Sequence, residues 1–430
     1  MTAEVGVLNR MGVALAADSA VTIGTKESKI YTSADKLFQL TNHAPVGIMV
    51  YGSADLLQVP WETIIKEYRK VLGEKTFPHL LDYYNDFIGF LTSNADFFPK
   101  QNQANFVEFI AYDFFGYLLN SFHEKIEKEI ENKKTITESE IKSLITSIVQ
   151  DEIELTRKAG SLDNLPKDFP KEVLNKYKHI LAKARKEVFE KLPISQLTER
   201  RLSQLVAELL SSKRLINRKI HSGIVVSGFG ESELFPTLAE ATIAGIVNEL
   251  PLFAKTYEMA IDYNINSCVV PFAQKEMVHT FMDGIDPEYG RFISSSTSNL
   301  FIGVVDVLIE EVRKKNKKIG DDIKNTISNN LDKLLDNLHN QWNDVRRSHY
   351  SNPVMQMVAS LPKDELAAMA ESLVNLTKFK RRVSTQQETV GGPIDVAVIT
   401  KGDGFVWVKR KHYFEAELNP RRISMYCHKR

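Results

Sequence analysis

Residues 1–18 read Met-Thr-Ala-Glu-Val-Gly-Val-Leu-Asn-Arg-Met-Gly-Val-Ala-Leu-Ala-Ala-Asp. Two short apolar runs, Val5–Leu8 and Val13–Ala17, are separated by residues 9–12, which have the composition of a hairpin turn. Removal of Met1 leaves Thr2 with a free α-amine, a base for the terminal hydroxyl that no other side chain has to supply. The segment therefore predicts two paired strands that present Thr2 as a candidate nucleophile.

The composition is that of an ordinary globular protein. The 430 residues are 43% hydrophobic and 26% charged, with 55 Lys+Arg against 55 Asp+Glu. A net charge of zero gives no support to nucleic-acid binding, and we expect no nucleic-acid partner. Two cysteines indicate a reducing compartment, so we expect a cytoplasmic protein. We also expect no membrane partner, because no apolar run reaches spanning length, and no metal or other cofactor, because His-x-x-x-His and Cys-x-x-Cys spacings are absent.

Stretches with a strand-like pattern alternate along the sequence with stretches that have a helix-like pattern. Apolar runs bounded by turn residues are typical of strands, and apolar residues at intervals of three or four are typical of helices. We predict an α/β (α+β) fold whose sheets share one core and are interrupted by two helical insertions. The predicted segments are 1–60 (sheet), 61–216 (helical insertion), 217–300 (sheet), 301–352 (helical insertion) and 353–430 (helix and strands).

Several local features make sharper predictions. Residues 44–55 read as a buried strand that ends in a small-residue turn, with a helix starting near Asp55. Thr137 to Glu140 fit a capping box. Further along, the sequence predicts a short helix over 271–281, a helix N-cap cluster at 294–296, a break marked by the lysine-rich residues 313–318 and Gly320, and a strand pair over 394–410.

Four features in order resemble a known family. They are Thr2 itself, Ala16-Ala17-Asp18 followed by Val21-Thr22-Ile23-Gly24, the strand around Lys36, and the turn Tyr51-Gly52-Ser53-Ala54-Asp55. Together they resemble the N-terminal-nucleophile (Ntn) hydrolases, in particular proteasome β-subunits and the bacterial proteasome-related threonine peptidase that works with an AAA+ unfoldase. The resemblance is clear over 2–60, weaker over 220–300 and present again over 365–410. It implies a four-layer αββα sandwich.

The resemblance also implies roles for individual residues. Thr2 would be the nucleophile with its own amine as base, and the Lys36 charge would lower the pKa of that amine from about 7.7–8.0. Asp18 would pair with Lys36, and the backbone amides of Tyr51 and Gly52 would form the oxyanion hole. Implied substrate-binding residues are Thr22, Met49 and Ser53, and implied supporting residues are Ser294 and Ser296.

The sequence departs from that family at two places. Position 51 is Tyr where the family often has Gly, and residues 387–391 read Gln-Glu-Thr-Val-Gly where the family has Asp-x-x-Ser-Gly. The Asp and Ser that support the terminal amine in the family are therefore missing from the aligned positions.

The sequence leaves three functions open. The first is a threonine peptidase, a hydrolase of peptide or protein substrates that forms homo-oligomers and works with an unfoldase. The second is a scaffold without catalysis that binds a partner through its helical insertions. The third is a small-molecule amidase on the same fold.

Overall fold

A computed structural model describes residues 2–23, 29–94, 97–218, 221–384, 390–412, 414–415 and 417–420. The strands are, in chain order, β1 (Ala3–Asn9), β2 (Gly12–Asp18), β3 (Val21–Ile23), β4 (Lys29–Tyr31), β5 (Leu37–Gln39), β6 (Val46–Gly52), β7 (Asp55–Leu56), β8 (Val59–Pro60), β9 (Ser222–Gly228), β10 (Thr237–Val247), β11 (Leu250–Ala260), β12 (Ser267–Ala273), β13 (Ile394–Thr400) and β14 (Gly404–Lys409).

The helices are α1 (Trp61–Leu72), α2 (Leu80–Ser93), α3 (Lys100–Lys133), α4 (Glu138–Lys158), α5 (Phe169–Val188), α6 (Gln196–Leu210), α7 (Lys213–Ile216), α8 (Glu276–Asp283), α9 (Pro287–Lys315), α10 (Lys317–Arg346), α11 (Asn352–Val358) and α12 (Lys363–Val383). A π-helical turn, Arg347–Ser351, joins α10 to α11. The chain divides into two compact units, of which the first holds residues 1–34, 261–400 and 406–430, and the second holds 35–260 and 401–405.

The first unit contains a five-stranded sheet in the order β12-β1-β2-β13-β14. The turn at residues 9–12 forms as predicted, because the Asn9 carboxamide oxygen accepts from the Met11 amide and its Nδ2 donates to the carbonyls of Val358 and Leu361. Alternate residues of β1 and β2, among them Val5 and Ala16, share a hydrophobic core with Leu373 and other residues of α12. The N-terminal strands are thus central in this sheet.

The first unit also contains a long helical hairpin, α9 and α10. Asp286 caps α9 by accepting from the amides of Glu288 and Tyr289, and Asn316 ends α9 and caps α10. Among the described residues α9 is long and apolar enough to cross a membrane, since one 18-residue window has a mean hydropathy of 1.6 and is 6% buried. This corrects the expectation that no apolar run reaches that length, although length and composition alone do not make a membrane span.

The second unit contains the other five-stranded sheet, in the order β11-β10-β9-β6-β5. The helices α1 and α2 cover one face of this sheet, with Ile48, Val50 and Val226 in the shared core. A second core lies among α3 to α7, and it includes Ala244 and Val247 of β10. Thr137 forms the predicted capping box with Glu140 at the start of α4.

Three local predictions are wrong. The helix after β6 begins at Trp61, because Asp55 instead accepts from the Gln58 amide and closes the β7–β8 turn. Residues 271–273 belong to β12, which pairs with β1, so the short helix begins only at Glu276. Residues 294–296 lie inside α9, because its cap is Asp286. The predicted break between the helices is confirmed, since it falls at Asn316 within residues 313–318, and Gly320 lies in the first turn of α10.

The strand pairings in both five-stranded sheets are antiparallel. Together with the helices, they give the chain a mixed α/β fold, as the sequence predicted. The sheets belong to different units, so the four-layer sandwich stays a prediction. The five predicted segments also stay predictions.

Candidate functional site

Thr2 lies at the start of β1, where it is only 4% exposed. Its carbonyl oxygen accepts from the Gln274 amide at 3.2 Å, just beyond β12. The next amide, that of Ala3, donates to Asp18 Oδ1 at 3.0 Å. Hydrogen bonds on both sides of the Thr2–Ala3 peptide therefore fix the backbone of the predicted nucleophile.

Asp18 lies at the end of β2 and is buried. Besides the Ala3 amide it accepts two more through Oδ2, from Ala20 at 3.2 Å and from Gly391 at 2.9 Å. Three amide donors suit a buried carboxylate, which otherwise loses its hydration without compensation. The predicted site residue thus joins the N-terminus, the end of β2 and a turn near residue 391.

The turn before β13 is held from several sides. The Gly391 carbonyl accepts from the Ser19 amide, the Gly392 carbonyl from Lys378 Nζ at 2.9 Å, and the Pro393 carbonyl from the Ser19 hydroxyl at 2.7 Å. Gly392 has φ +75°, and a Cβ there would lie 2.7 Å from the Thr32 carbonyl oxygen. The sequence predicts this Gly-Gly pair only as a turn, and the hydrogen bond from Gly391 to Asp18 was not expected.

Two more buried carboxylates stand on the same sheet as Asp18. Glu4 on β1 and Asp395 on β13 both lie opposite Ala17 of β2, one on each side. Both are almost completely buried. Asp395 accepts from the Lys411 amide at 2.8 Å and forms an ion pair with the Lys411 side chain. Neither Glu4 nor Asp395 was predicted from the sequence, although an acidic residue inside an apolar strand run is a visible signal.

The other predicted catalytic residues belong to the second unit. Lys36 is buried, and its carbonyl accepts from the Val50 amide. Met49 and Tyr51 are buried on β6, and Gly52 and Ser53 are exposed at its end. The roles predicted for these residues, including the pairing of Asp18 with Lys36 and the oxyanion hole, stay predictions.

Tyr51 crosses its sheet. Its ring lies over Gly223 of β9, where a Cβ would come within 1.9 Å of the ring. Its hydroxyl donates to the Glu240 carboxylate on β10. A side chain at position 223 would displace the ring, so Gly223 is what allows Tyr51 to reach a buried carboxylate two strands away. This gives the unexpected tyrosine a structural role.

The turn after Tyr51 requires glycine. Gly52 has φ +86°, and a Cβ there would lie 2.3 Å from the His221 carbonyl oxygen. The same carbonyl accepts from the Ser53 amide at 3.1 Å, and the Ser53 carbonyl accepts from Ser222 Oγ. Ser222 is held in turn by Trp61 Nε1 at 2.8 Å. The turn is therefore rigidly attached to the start of β9.

The remaining predicted residues are placed separately within the first unit. Thr22 lies in β3, opposite Ile30 of β4. Ser294 lies on α9 with its hydroxyl 2.6 Å from His339 Nε2 of α10, and Ser296 is exposed on α9. Met1, Gly24, Gln387 to Thr389 and Cys427 lie outside the described residues, so the departure at 387–389 and the fate of Met1 are untested. Within the described ranges no cluster of three or more His, Cys, Asp or Glu side chains could hold a metal ion.

Known proteins resemble this chain only remotely. No family model matches it, and no curated protein matches it. Solved structures of Anbu do match. An Anbu (Gly-1) mutant from Hyphomicrobium sp. strain MC1 is 8% identical over 100% of this chain and 98% of its own, with a TM-score of 0.29. Anbu (ancestral β-subunit) from Yersinia bercovieri is 8% identical over 100% and 97%, with a TM-score of 0.28.

A third match is the helical assembly of the Anbu complex from Pseudomonas aeruginosa, 10% identical over 99% of this chain and 94% of its own, with a TM-score of 0.27. The predicted membership in the proteasome β-subunit and unfoldase-dependent peptidase family is wrong, because the matching structures are Anbu proteins, a proteasome-like but distinct family. Similarity this low carries no argument about the activity of this chain.

Proposed function

We propose that this protein hydrolyses peptide (amide) bonds with Thr2 as an N-terminal nucleophile after Met1 is removed. The observation that supports the proposal is that both polar groups of the Thr2–Ala3 peptide are hydrogen-bonded. The Thr2 carbonyl accepts from the Gln274 amide, and the Ala3 amide donates to Asp18. Chain termini are poorly ordered unless they are tied down. A buried first residue with a fixed backbone is what N-terminal catalysis needs.

The chemistry follows from that placement. The Thr2 hydroxyl gives its proton to the α-amine of the same residue and attacks the substrate carbonyl. The tetrahedral intermediate collapses to an ester on Thr2 as the amine product leaves with a proton, and water then hydrolyses the ester. Because the hydroxyl and the α-amine belong to the same residue, nucleophile and base stay only a few bonds apart, which lowers the entropic cost of the first step. Asp18 acts as a positioning residue.

Replacing Thr2 tests the proposal. We expect Thr2→Ala to lower the turnover of a short fluorogenic peptide amide by about a thousandfold or more. Thr2→Ser should retain part of the activity, and Thr326→Ala on exposed α10 should retain all of it. Turnover by Thr2→Ala at the wild-type rate would remove Thr2 from the mechanism. Comparing the peptide amide with a simple acyl amide separates a peptidase from a small-molecule amidase.

The free amine is tested separately. A chain released from a cleavable leader so that it begins at Thr2 should be active. The same chain with Gly-Ser left before Thr2 should keep its fold by circular dichroism and lose turnover. Equal activity of the two would show that the α-amine is not the base.

A scaffold without catalysis is the second candidate. The observation in its favour is the exposed apolar surface of α9, which includes Leu300 and Val307. Intact-mass spectrometry of the purified protein separates the two candidates, because a scaffold has no need to lose Met1 and the hydrolase does.

We propose the cytoplasm as the location, on the basis of only two cysteines in 430 residues. Fractionation of cells expressing the tagged chain tests this, and recovery in the membrane pellet would contradict it.

A further inference from the structure

One face of α9 presents apolar and small side chains to solvent over about 27 Å. We call this face the α9 stripe. Its residues are spaced three or four apart, as one face of a helix requires, and three of them are 64%, 67% and 63% exposed (Phe292, Leu300 and Val307). The α9 stripe consists of Tyr289, Phe292, Ser296, Leu300, Gly303, Val304 and Val307.

The opposite side of α9 is already covered by α10. Ser294 contacts His339, Arg313 pairs with Asp321, and Ile309 is buried. Ser296 comes two residues after Ser294 and so lies about 200° further round the helix. The α9 stripe therefore faces away from α10, and exposed apolar surfaces of this size usually mark an interaction site.

We propose that the α9 stripe binds the same stripe of a second copy of this chain, with the two helices antiparallel. The charges at the two ends of α9 favour an antiparallel second copy as the binding partner. The first turn of α9 is acidic through Glu288, and its last turn carries Arg313, Lys314 and Lys315. An antiparallel second copy brings the acidic end of one helix to the basic end of the other, whereas parallel copies bring like charges together.

These charges are available for such a contact. The Glu288 and Lys314 side chains are 85% and 67% exposed, and each forms an ion pair with a neighbour three residues away on the same helix. Exposed pairs of that kind are weak. Both charges can therefore turn to a facing helix without losing a strong interaction.

The order of side chains along the stripe suits an antiparallel pairing centred on Leu300. Ser296 of one copy then faces Val304 of the other, and Phe292 faces Leu308, an exposed residue that borders the stripe next to Val307. Ser296 and Gly303 are small, so large side chains of the facing helix have room to enter. Alternation of large and small residues is what close helix packing needs.

A lipid bilayer fits this face less well. The middle of the helix, residues 294–299, reads Ser-Ser-Ser-Thr-Ser-Asn, and Asp306 lies inside the apolar window. Interfacial helices place Lys and Arg along their whole polar face, whereas the basic residues of α9 are Arg291 and the run at its C-terminus. The proposal concerns association, so it goes beyond the hydrolase function and does not depend on it.

The mass of the full-length protein in solution tests the proposal. By light scattering after size exclusion we expect at least a dimer, and Leu300→Glu should lower the mass by half or more. Val71→Glu, at a 70% exposed site on α1, is the matched control and should leave the mass unchanged. A monomeric wild type, or an unchanged mass for Leu300→Glu, would overturn the proposal.

Cysteine cross-linking tests the orientation, in a Cys427→Ser background in which Cys268 is buried. Leu300→Cys should form a disulfide-linked dimer because Leu300 faces its own copy. Val307→Cys should not, because antiparallel pairing separates the two copies of position 307 by about 21 Å along the axis. Efficient cross-linking of Val307→Cys would overturn the antiparallel arrangement.

A charge exchange completes the test. Glu288→Lys should raise the dissociation constant of the dimer at least tenfold. Adding Lys314→Glu should restore it, because the charges are then exchanged, whereas damage to the fold by the first substitution would not be repaired by the second. Failure of the double variant to recover contradicts the charge pairing. If the wild type is monomeric and binds phosphatidylcholine–phosphatidylglycerol vesicles, the partner of the α9 stripe is a lipid surface and the proposal of a second copy is wrong.

Discussion

At Gly52 a single missing side chain sets the geometry of the turn that carries the predicted oxyanion hole. Gly52 and Gly404 share nearly the same backbone conformation, with φ +86° and +76°. They differ in surroundings, because a Cβ at 52 meets the His221 carbonyl at 2.3 Å and a Cβ at 404 meets nothing within 4 Å. The two glycines therefore separate backbone strain from steric exclusion.

We expect Gly404→Ala to lower the free energy of unfolding by about 1 kcal/mol, the cost of left-handed backbone at a residue with a Cβ. Gly52→Ala should cost about 3 kcal/mol, because the His221 carbonyl must also move. Denaturant unfolding of both variants measures the difference. Equal losses would show that the turn accommodates the methyl group.

At the scale of elements, α1 and α2 bury three tyrosines that differ in their hydrogen bonds. The Tyr68 hydroxyl donates to Asp86 at 2.9 Å, and the Tyr83 hydroxyl accepts from the Phe77 amide. The Tyr84 hydroxyl is buried and has no hydrogen-bond partner among the described residues. Burial raises the pKa of all three, and the Asp86 charge raises that of Tyr68 further.

These shifts predict a loss of stability in alkali. Below about pH 10 a tyrosine is neutral in both states. Above it the unfolded chain releases phenolic protons that the folded chain retains, so the free energy of unfolding falls as pH rises, by about 1.4 kcal/mol per pH unit for each buried tyrosine. Denaturant unfolding at pH 8, 10 and 11 measures this slope.

Two substitutions separate the contributions. Tyr84→Phe removes a buried hydroxyl without a hydrogen bond, so it should be neutral or stabilising at pH 8 and should reduce the alkaline slope. Tyr68→Phe removes the bond to Asp86 and should cost about 1–2 kcal/mol at pH 8. An alkaline slope that neither substitution changes would mean that other groups cause the loss.

At the scale of the whole molecule, the first unit is assembled from three separate parts of the chain. The ion pair between Asp395 and Lys411 fastens the segment after β14 to β13, and its side chains are 3% and 10% exposed. Removing one partner of such a buried pair leaves an uncompensated charge.

We expect Lys411→Met to lower the free energy of unfolding by about 3 kcal/mol, because Asp395 stays buried and charged. Asp395→Leu combined with Lys411→Met should cost clearly less than the sum of the single changes. Lys409→Met, at an exposed pair with Glu371, is the control and should cost less than about 1 kcal/mol. Additive losses at 395 and 411 would contradict the pairing.

The sequence alone determined the features that depend on nearby residues. The turn at 9–12, the capping box at Thr137 and the strand pair near the C-terminus all formed where local patterns predicted them, because turn and cap chemistry acts over a few residues. The Met-Thr start identified Thr2 as a candidate nucleophile, and the resemblance to proteasome β-subunits added Asp18, which lies close to Thr2 because it accepts from the Ala3 amide.

Only the tertiary structure decided what depends on distant residues. Local pattern gave a helix at 271–273, but pairing with β1 makes these residues a strand, and Asp18 accepts from Gly391, 373 residues away. Sequence also could not tell that the apolar residues of α9 are exposed, since helical periodicity identifies an apolar face and not what covers it. Register, burial and long-range hydrogen bonds arise only when separate segments meet in three dimensions, and so the partners of the candidate nucleophile were decided by the fold.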